Sequence, residues 1–154
     1  MITEYPDEVV ADADYSQFFQ DAEFKTRYPD LELPPHSFIL SKAKIISFES
    51  GSSIVLAFPV CDNQTNPIGT LQGGILCSFF DDAFGTLSFA SVRKPCVSID
   101  LNVNFTRTVK PGETVTIRAE LKAKTRKTLH LYAEAFNGNR KLVATATSNL
   151  MVFE

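Results

Sequence analysis

Residues 73–92, Gly-Gly-Ile-Leu-Cys-Ser-Phe-Phe-Asp-Asp-Ala-Phe-Gly-Thr-Leu-Ser-Phe-Ala-Ser-Val, form an almost wholly apolar run whose only charges are Asp81 and Asp82. A helix over this run is apolar nearly all round, and the rest of the chain has to enclose it. Its length approaches that of a membrane span, but two adjacent acids and Gly85 at its middle argue for a buried core helix. An uncompensated carboxylate in such surroundings costs on the order of several kcal/mol, so the acids need a reason to be there.

The sequence around this run is β-rich. Two β-rich stretches between Phe38 and Val60 are separated by the turn signal Glu49-Ser-Gly51, and a polar loop, 61–70, leads to the helix. After the helix the pattern changes to period two. Val97, Ile99, Leu101, Val103 and Phe105 alternate with Ser98, Asp100, Asn102, Asn104 and Thr106. Past the turn Lys110-Pro-Gly112, the same alternation runs from Thr114 to Lys122. A third run, Leu129 to Phe136, turns at Asn137-Gly138, a strong hairpin signal, into a fourth, Leu142 to Phe153. Alternating strands have one buried and one polar face, as in an antiparallel sheet. The order strand, strand, helix, four strands predicts an α+β chain whose six-stranded antiparallel sheet wraps the long helix, the hot-dog architecture.

At 154 residues the chain reads as one such domain over 37–154 preceded by a partly helical extension over 1–36. In the extension, Asp14 is placed to cap a helix through about Tyr28, with Tyr15, Phe18, Phe19 and Ala22 on one face. Pro29, Pro34 and Pro35 then end regular structure. A net charge of −3 argues against a nucleic-acid backbone as partner. Basic residues nevertheless gather in the last third, as a patch for a small phosphorylated ligand or as solvated strand edges. Cys61, Cys77 and Cys96 are widely spaced, with no metal-binding or disulfide pattern, and no metal or cofactor is expected. The first residues lack the pattern of a signal peptide. A cytoplasmic protein without a membrane partner is the expectation.

The start of the helix and Asp81 carry the chemistry. The first N–H groups of a helix lack internal partners and, with the macrodipole, suit a developing oxyanion. Gly73 and Gly74 leave a substrate carbonyl free to approach them, or else mark close packing. Asp81 lies eight residues beyond Gly73, about 12 Å along the axis at 1.5 Å per residue. It cannot reach a carbonyl held at its own helix start, but it can reach one held by an antiparallel partner helix. A two-fold dimer with two shared sites follows. Adjacent helix residues point about 100° apart, so only one of the two acids can fill this role. Position favours Asp81 and leaves Asp82 to packing.

From Asn66 to Val152 the chain resembles the hot-dog acyl-CoA thioesterases of the phenylacetate-pathway type and their mammalian relatives. The matching residues are Thr65-Asn-Pro-Ile-Gly-Thr-Leu-Gln-Gly-Gly74, Asp81, Val97-Ser-Ile-Asp-Leu-Asn-Val-Asn-Phe105 and Pro111-Gly112. The resemblance implies hydrolysis of an acyl-CoA thioester. It implies that Asn66 and Gly73 hold the carbonyl, that Asp81 is base or nucleophile, and that Ser98 orients water. It also implies a homodimer, often paired again as a dimer of dimers. Lys124, Arg126 and Lys127 are candidates for the CoA phosphates, ahead of Arg93 and Lys94. Phe79, Phe80, Phe84 and Phe89 line an acyl pocket or pack the core.

The chain departs from the family pattern in two places. Gln72 stands where the family has histidine; it can hydrogen-bond but cannot relay a proton. Arg126 stands where relatives tend to have glycine. A non-catalytic acyl-CoA-binding dimer is therefore the alternative. A hydratase is disfavoured because neither His36 nor His130 lies near the helix start in sequence.

Overall fold

The computed structural model describes residues 19–153. The helix foreseen at 73–92 is α3, Gly73–Val92. It packs against a six-stranded sheet made of β1 (Lys44–Glu49), β2 (Ser53–Pro59), β3 (Cys96–Phe105), β4 (Thr114–Lys124), β5 (Thr128–Phe136) and β6 (Leu142–Val152). The strand order is β1-β2-β4-β5-β6-β3, and every neighbouring pair is antiparallel. This is the hot-dog arrangement, with β1 and β3 as the two outermost strands. Among the described residues two short helices precede it: α1 (Ala22–Arg27) and α2 (His36–Leu40).

The core is the sequence pattern in three dimensions. Ile54, Leu56 and Phe58 of β2, Val115, Ile117 and Ala119 of β4, and Leu129, Leu131, Ala133 and Ala135 of β5 are buried. Against them α3 buries Leu76, Phe79, Phe80, Ala83, Phe84 and Leu87. The Phe58 and Phe79 rings stack at 4.4 Å. Burying a side chain of this size contributes roughly 1.5–3 kcal/mol. Enclosure of the helix is incomplete, however. Gly74, Ser78 and Asp81 are exposed along one side of α3. The helix is long and apolar enough to cross a membrane by length and composition, but half of its most apolar window lies inside the protein.

Three local readings change. The stretch from Phe38 does not begin a strand, because α2 occupies it and β1 starts only at Lys44. Among the described residues the first α-helix starts at Ala22, capped by Asp21, whose Oδ1 accepts the Phe24 N–H at 2.8 Å, so no single helix runs on to Tyr28 through residues 20 and 21; Asp14, Tyr15 and Phe18 lie outside the described residues. The β5–β6 hairpin forms, but as a loop closed by the Asn137 N–H to the Lys141 carbonyl. Asn137 Oδ1 accepts from Asn139 and Lys141 inside it, and Arg140 takes the left-handed conformation.

Phe84 is fully buried at the middle of α3. Phe84→Ala is expected to lower unfolding free energy by about 3–5 kcal/mol, measured by urea denaturation. A loss under about 1 kcal/mol would show that the helix–sheet contact is not the core of the fold.

Candidate active site

Gln72 begins the helix. Its backbone is extended (φ −69°, ψ 133°), and its Oε1 accepts the Ile75 N–H at 2.9 Å, so it is the N-cap. The N–H groups of Gly73 and Gly74 take part in no hydrogen bond among the described residues. A β-carbon on Gly74 would lie 2.9 Å from the Gln72 Oε1, and one on Gly73 would lie 3.3 Å from the Phe105 ring. The two glycines therefore make room for the cap and for Phe105, while their N–H groups stay open.

Asn66 shapes the loop ahead of the helix. Its Oδ1 accepts from Ile68 and Thr70, its Nδ2 donates to Thr70 Oγ1, and its backbone pairs with Thr70 and Gly69. Asn66, Thr70, Gly73, Leu76, Phe105 and Arg107 line one cavity of about 210 Å³. The structure thus brings Asn66 and Gly73 together. Arg107, whose guanidinium donates to the Leu142 carbonyl at 2.7 Å, joins them unforeseen. Its position two residues beyond Phe105, at the end of the alternating run, was the available signal.

Asp81 faces a different space. It is exposed and accepts a 2.6 Å hydrogen bond from Ser98 Oγ. Strict alternation places Ser98 on the polar face of β3, but the strand is irregular between Ser98 and Asp100. The bulge at Ile99 leaves Ser98 facing α3 along with Leu101 and Val103, while Asp100 turns outward to Asn149 and Val97 is exposed. The Asp81 carboxylate also borders a cavity of about 190 Å³, together with Phe19, Leu33, Pro35, Ser37, Asp82, Gly85, Thr86 and Phe89. Asp81 and Gly73 thus occupy separate cavities on one helix.

Asp82 is the more buried acid. Ser37 Oγ donates to its Oδ1 at 2.7 Å and Ser41 Oγ approaches its Oδ2 at 3.4 Å, joining α2 to α3. Burial raises its carboxyl above the ordinary range, the neighbouring Asp81 charge adds to this, and the serine hydrogen bonds oppose it. Burial also pushes the Cys96 thiol up to about 11 and raises Cys77, which keeps both protonated at neutral pH.

The remaining candidates lie apart from the helix start. Lys124, Arg126 and Lys127 are exposed around the β4–β5 turn. The Lys127 carbonyl accepts from Val152, which pairs with Cys96, so this turn lies at the Ser98 end of the sheet. Arg93 is paired with Asp21. Phe79, Phe80 and Phe84 pack the core, and of the four phenylalanines only Phe89 borders the cavity beside Asp81.

With this geometry in place, the chain matches the thioesterase superfamily over residues 68–144, half its length. It belongs to that superfamily. Human acyl-coenzyme A thioesterase 13 is 31% identical over 85 residues, 54% of this chain and 59% of that protein. The mouse protein of the same name is 28% identical over 92 residues, 58% and 64%. The chain therefore spans about three fifths of the length of these curated relatives. Among solved structures, the PaaI protein of the E. coli phenylacetic acid degradation operon superposes with a TM-score of 0.75 at 21% identity, covering 92% of this chain and 97% of that one. A putative thioesterase of Ralstonia eutropha JMP134, described as phenylacetic acid degradation-related, gives 0.73 at 28%, covering 84% and 98%. A Streptococcus mutans UA159 protein solved with acetyl CoA gives 0.70 at 22%, covering 80% and 94%.

Asp82 offers a pH test. Its folded value lies above its unfolded one, so it favours folding most when protonated. That contribution is lost as pH rises from the ordinary carboxylate range through the raised folded value. The stability of Asp82→Asn relative to the unsubstituted protein is therefore expected to be greater at pH 7 than at pH 4 in urea denaturation. A difference independent of pH would show that Asp82 does not titrate in this window.

Proposed function

We propose that the protein hydrolyses an acyl-CoA thioester to the free acid and CoA at a site shared between two copies of the chain. The observation that carries this is the split site: open N–H groups and Asn66 in one cavity, Asp81 with Ser98 beside another, on a single rigid helix. About 12 Å of helix separates the two, which is too far for one thioester to use both on the same chain. The edge strand β3 supplies the means of pairing. Val97 and Ile99 are 44% and 58% exposed on it, an apolar edge that a second β3 would cover. A two-fold axis through the middle of β3 sets each Ser98 beside the partner's Phe105, which covers the partner's Gly73. Each Asp81 then faces the open N–H groups of the other helix. A further pairing into a dimer of dimers is part of this reading, as is a cytoplasmic location.

In this arrangement the partner's Gly73 and Gly74 N–H groups, with Asn66, polarise the thioester carbonyl. Asp81 takes a proton from water held by Ser98, and the water oxygen bonds to the carbonyl carbon. The tetrahedral oxyanion collapses, the C–S bond breaks, and the proton on Asp81 passes to the departing CoA sulfur. Lys124, Arg126 and Lys127, at the Ser98 end of the sheet, contact the CoA phosphates. Gln72 serves this scheme as a cap: by holding the Ile75 N–H it fixes the helix start and leaves the two glycine N–H groups to the substrate.

Release of free thiol from a panel of acyl-CoAs tests the activity, and Asp81→Ala is expected to abolish it with the fold intact. Gly73→Pro removes one N–H at the first helical position, where proline is tolerated, and the extended Gln72 suits the residue before a proline. It is expected to lower kcat by about 10²–10³. Co-refolding the two inactive variants in equal amounts should restore about a quarter of full activity, because each mixed dimer regains one intact site. No recovery would sink the shared site, and CoA binding without turnover across the panel would favour the non-catalytic dimer.

A further inference from the structure

We infer that the segment preceding β1 builds the acyl pocket of this site and limits it to a single ring or a chain of about six carbons. The inference rests on the hydrolase reading above and adds a substrate class to it. The carbonyl carbon of the substrate sits at Asp81, and two different spaces meet the shared site. The cavity that holds Asn66, Thr70, Gly73 and Arg107 mixes these polar groups with Leu71, Leu76 and Phe105, which suits the thioester carbonyl and the amide groups of the CoA arm. The cavity at Asp81 is walled by Phe19, Leu33, Pro35, Gly85 and Phe89, which suit hydrocarbon, and Ser37, Asp82 and Thr86 also line it.

The wall is a packed structure. Phe19 meets Phe38 edge-on at 5.2 Å and stacks on Phe89 at 6.5 Å, while Phe24 meets Phe89 edge-on at 4.3 Å. The Ser37–Asp82 hydrogen bond ties α2 to α3, and both residues line the same cavity. On the helix side the floor is Gly85, where an added β-carbon would meet no atom within 4 Å. A glycine inside a helix weakens it, and here the missing side chain keeps the pocket open. The volume of about 190 Å³ then decides what enters. An apolar cavity of about 150 Å³ accepts benzene, so this one accepts a ring or a chain of similar size and excludes a long fatty acyl group.

Two substitutions move the selectivity in opposite directions. Gly85→Leu fills the floor and is expected to lower the ratio of kcat/KM for benzoyl-CoA over acetyl-CoA by about tenfold or more. Leu33→Ala opens the wall and is expected to raise the ratio for decanoyl-CoA over hexanoyl-CoA by about threefold or more. Thermal melts confirm that each variant is folded; should Gly85→Leu fail this control, Gly85→Ala is read with Leu33→Ala in its place. If both ratios stay within about twofold while the unsubstituted protein turns over, or if that protein prefers palmitoyl-CoA to hexanoyl-CoA, the pocket assignment is overturned. An absence of turnover on every acyl-CoA overturns the hydrolase reading, and the inference falls with it.

Discussion

The burial of one face of α3 against the inner face of the sheet fixes the position of every other group considered. Phe79, Phe80, Phe84 and Leu87 insert among the alternating side chains of the strands and are almost wholly removed from solvent. Large side chains in a close-packed interior leave the helix little freedom to rotate or slide. Its N-terminal N–H groups and its Asp81 carboxylate are therefore set at a constant separation and on defined sides. The sheet cannot cover all of a straight helix, and the uncovered side is where Gly74, Ser78 and Asp81 emerge. The same packing that hides the phenylalanines thus decides which polar groups a partner or substrate can meet.

The adjacent acids show how finely this works. Asp81 and Asp82 differ by one residue, about 100° around the helix. That rotation directs Asp82 toward α2, where Ser37 and Ser41 satisfy it and burial raises its carboxyl. It directs Asp81 toward β3 and solvent, where Ser98 donates to one oxygen at 2.6 Å. A carboxylate has more acceptor positions than a single hydroxyl fills, so Asp81 can still accept from a water. Asp82 makes its bonds between elements of its own chain, and it holds the α2 side of the cavity in place.

The period-two runs after the helix carried the strands, and the apolar run with its glycine pair carried the helix, because each reflects a repeating burial pattern. The bulge at Ile99 was not legible. A single extra residue reverses the facing of Ser98 relative to Leu101 while leaving the composition of the strand unchanged. The segment before β1 was also obscure, since its helices are short and its aromatic residues acquire meaning only against Phe89. Asp81 and Ser98 could be paired from their residue types and positions. Arg107 offered only its place just past the alternating run, and the fold brings it to the helix start.

The glycine pair unites two readings that the sequence left open, close packing and open N–H groups. A side chain at Gly74 would collide with the Gln72 amide, and one at Gly73 would press on Phe105. Packing therefore favours glycine at both positions, with a side-chain end as the near neighbour in each case. Packing alone does not account for the free N–H groups, which a helix start normally satisfies with a cap or with water. Gln72 satisfies only the third, that of Ile75. A capping side chain of this reach, bending back over a residue that lacks a β-carbon, secures the helix without using the first two donors. With glutamine rather than a proton-relaying histidine at this position, the two glycine N–H groups still stay open, as the proposed polarisation of a carbonyl requires, and in that proposal the proton chemistry falls to Asp81.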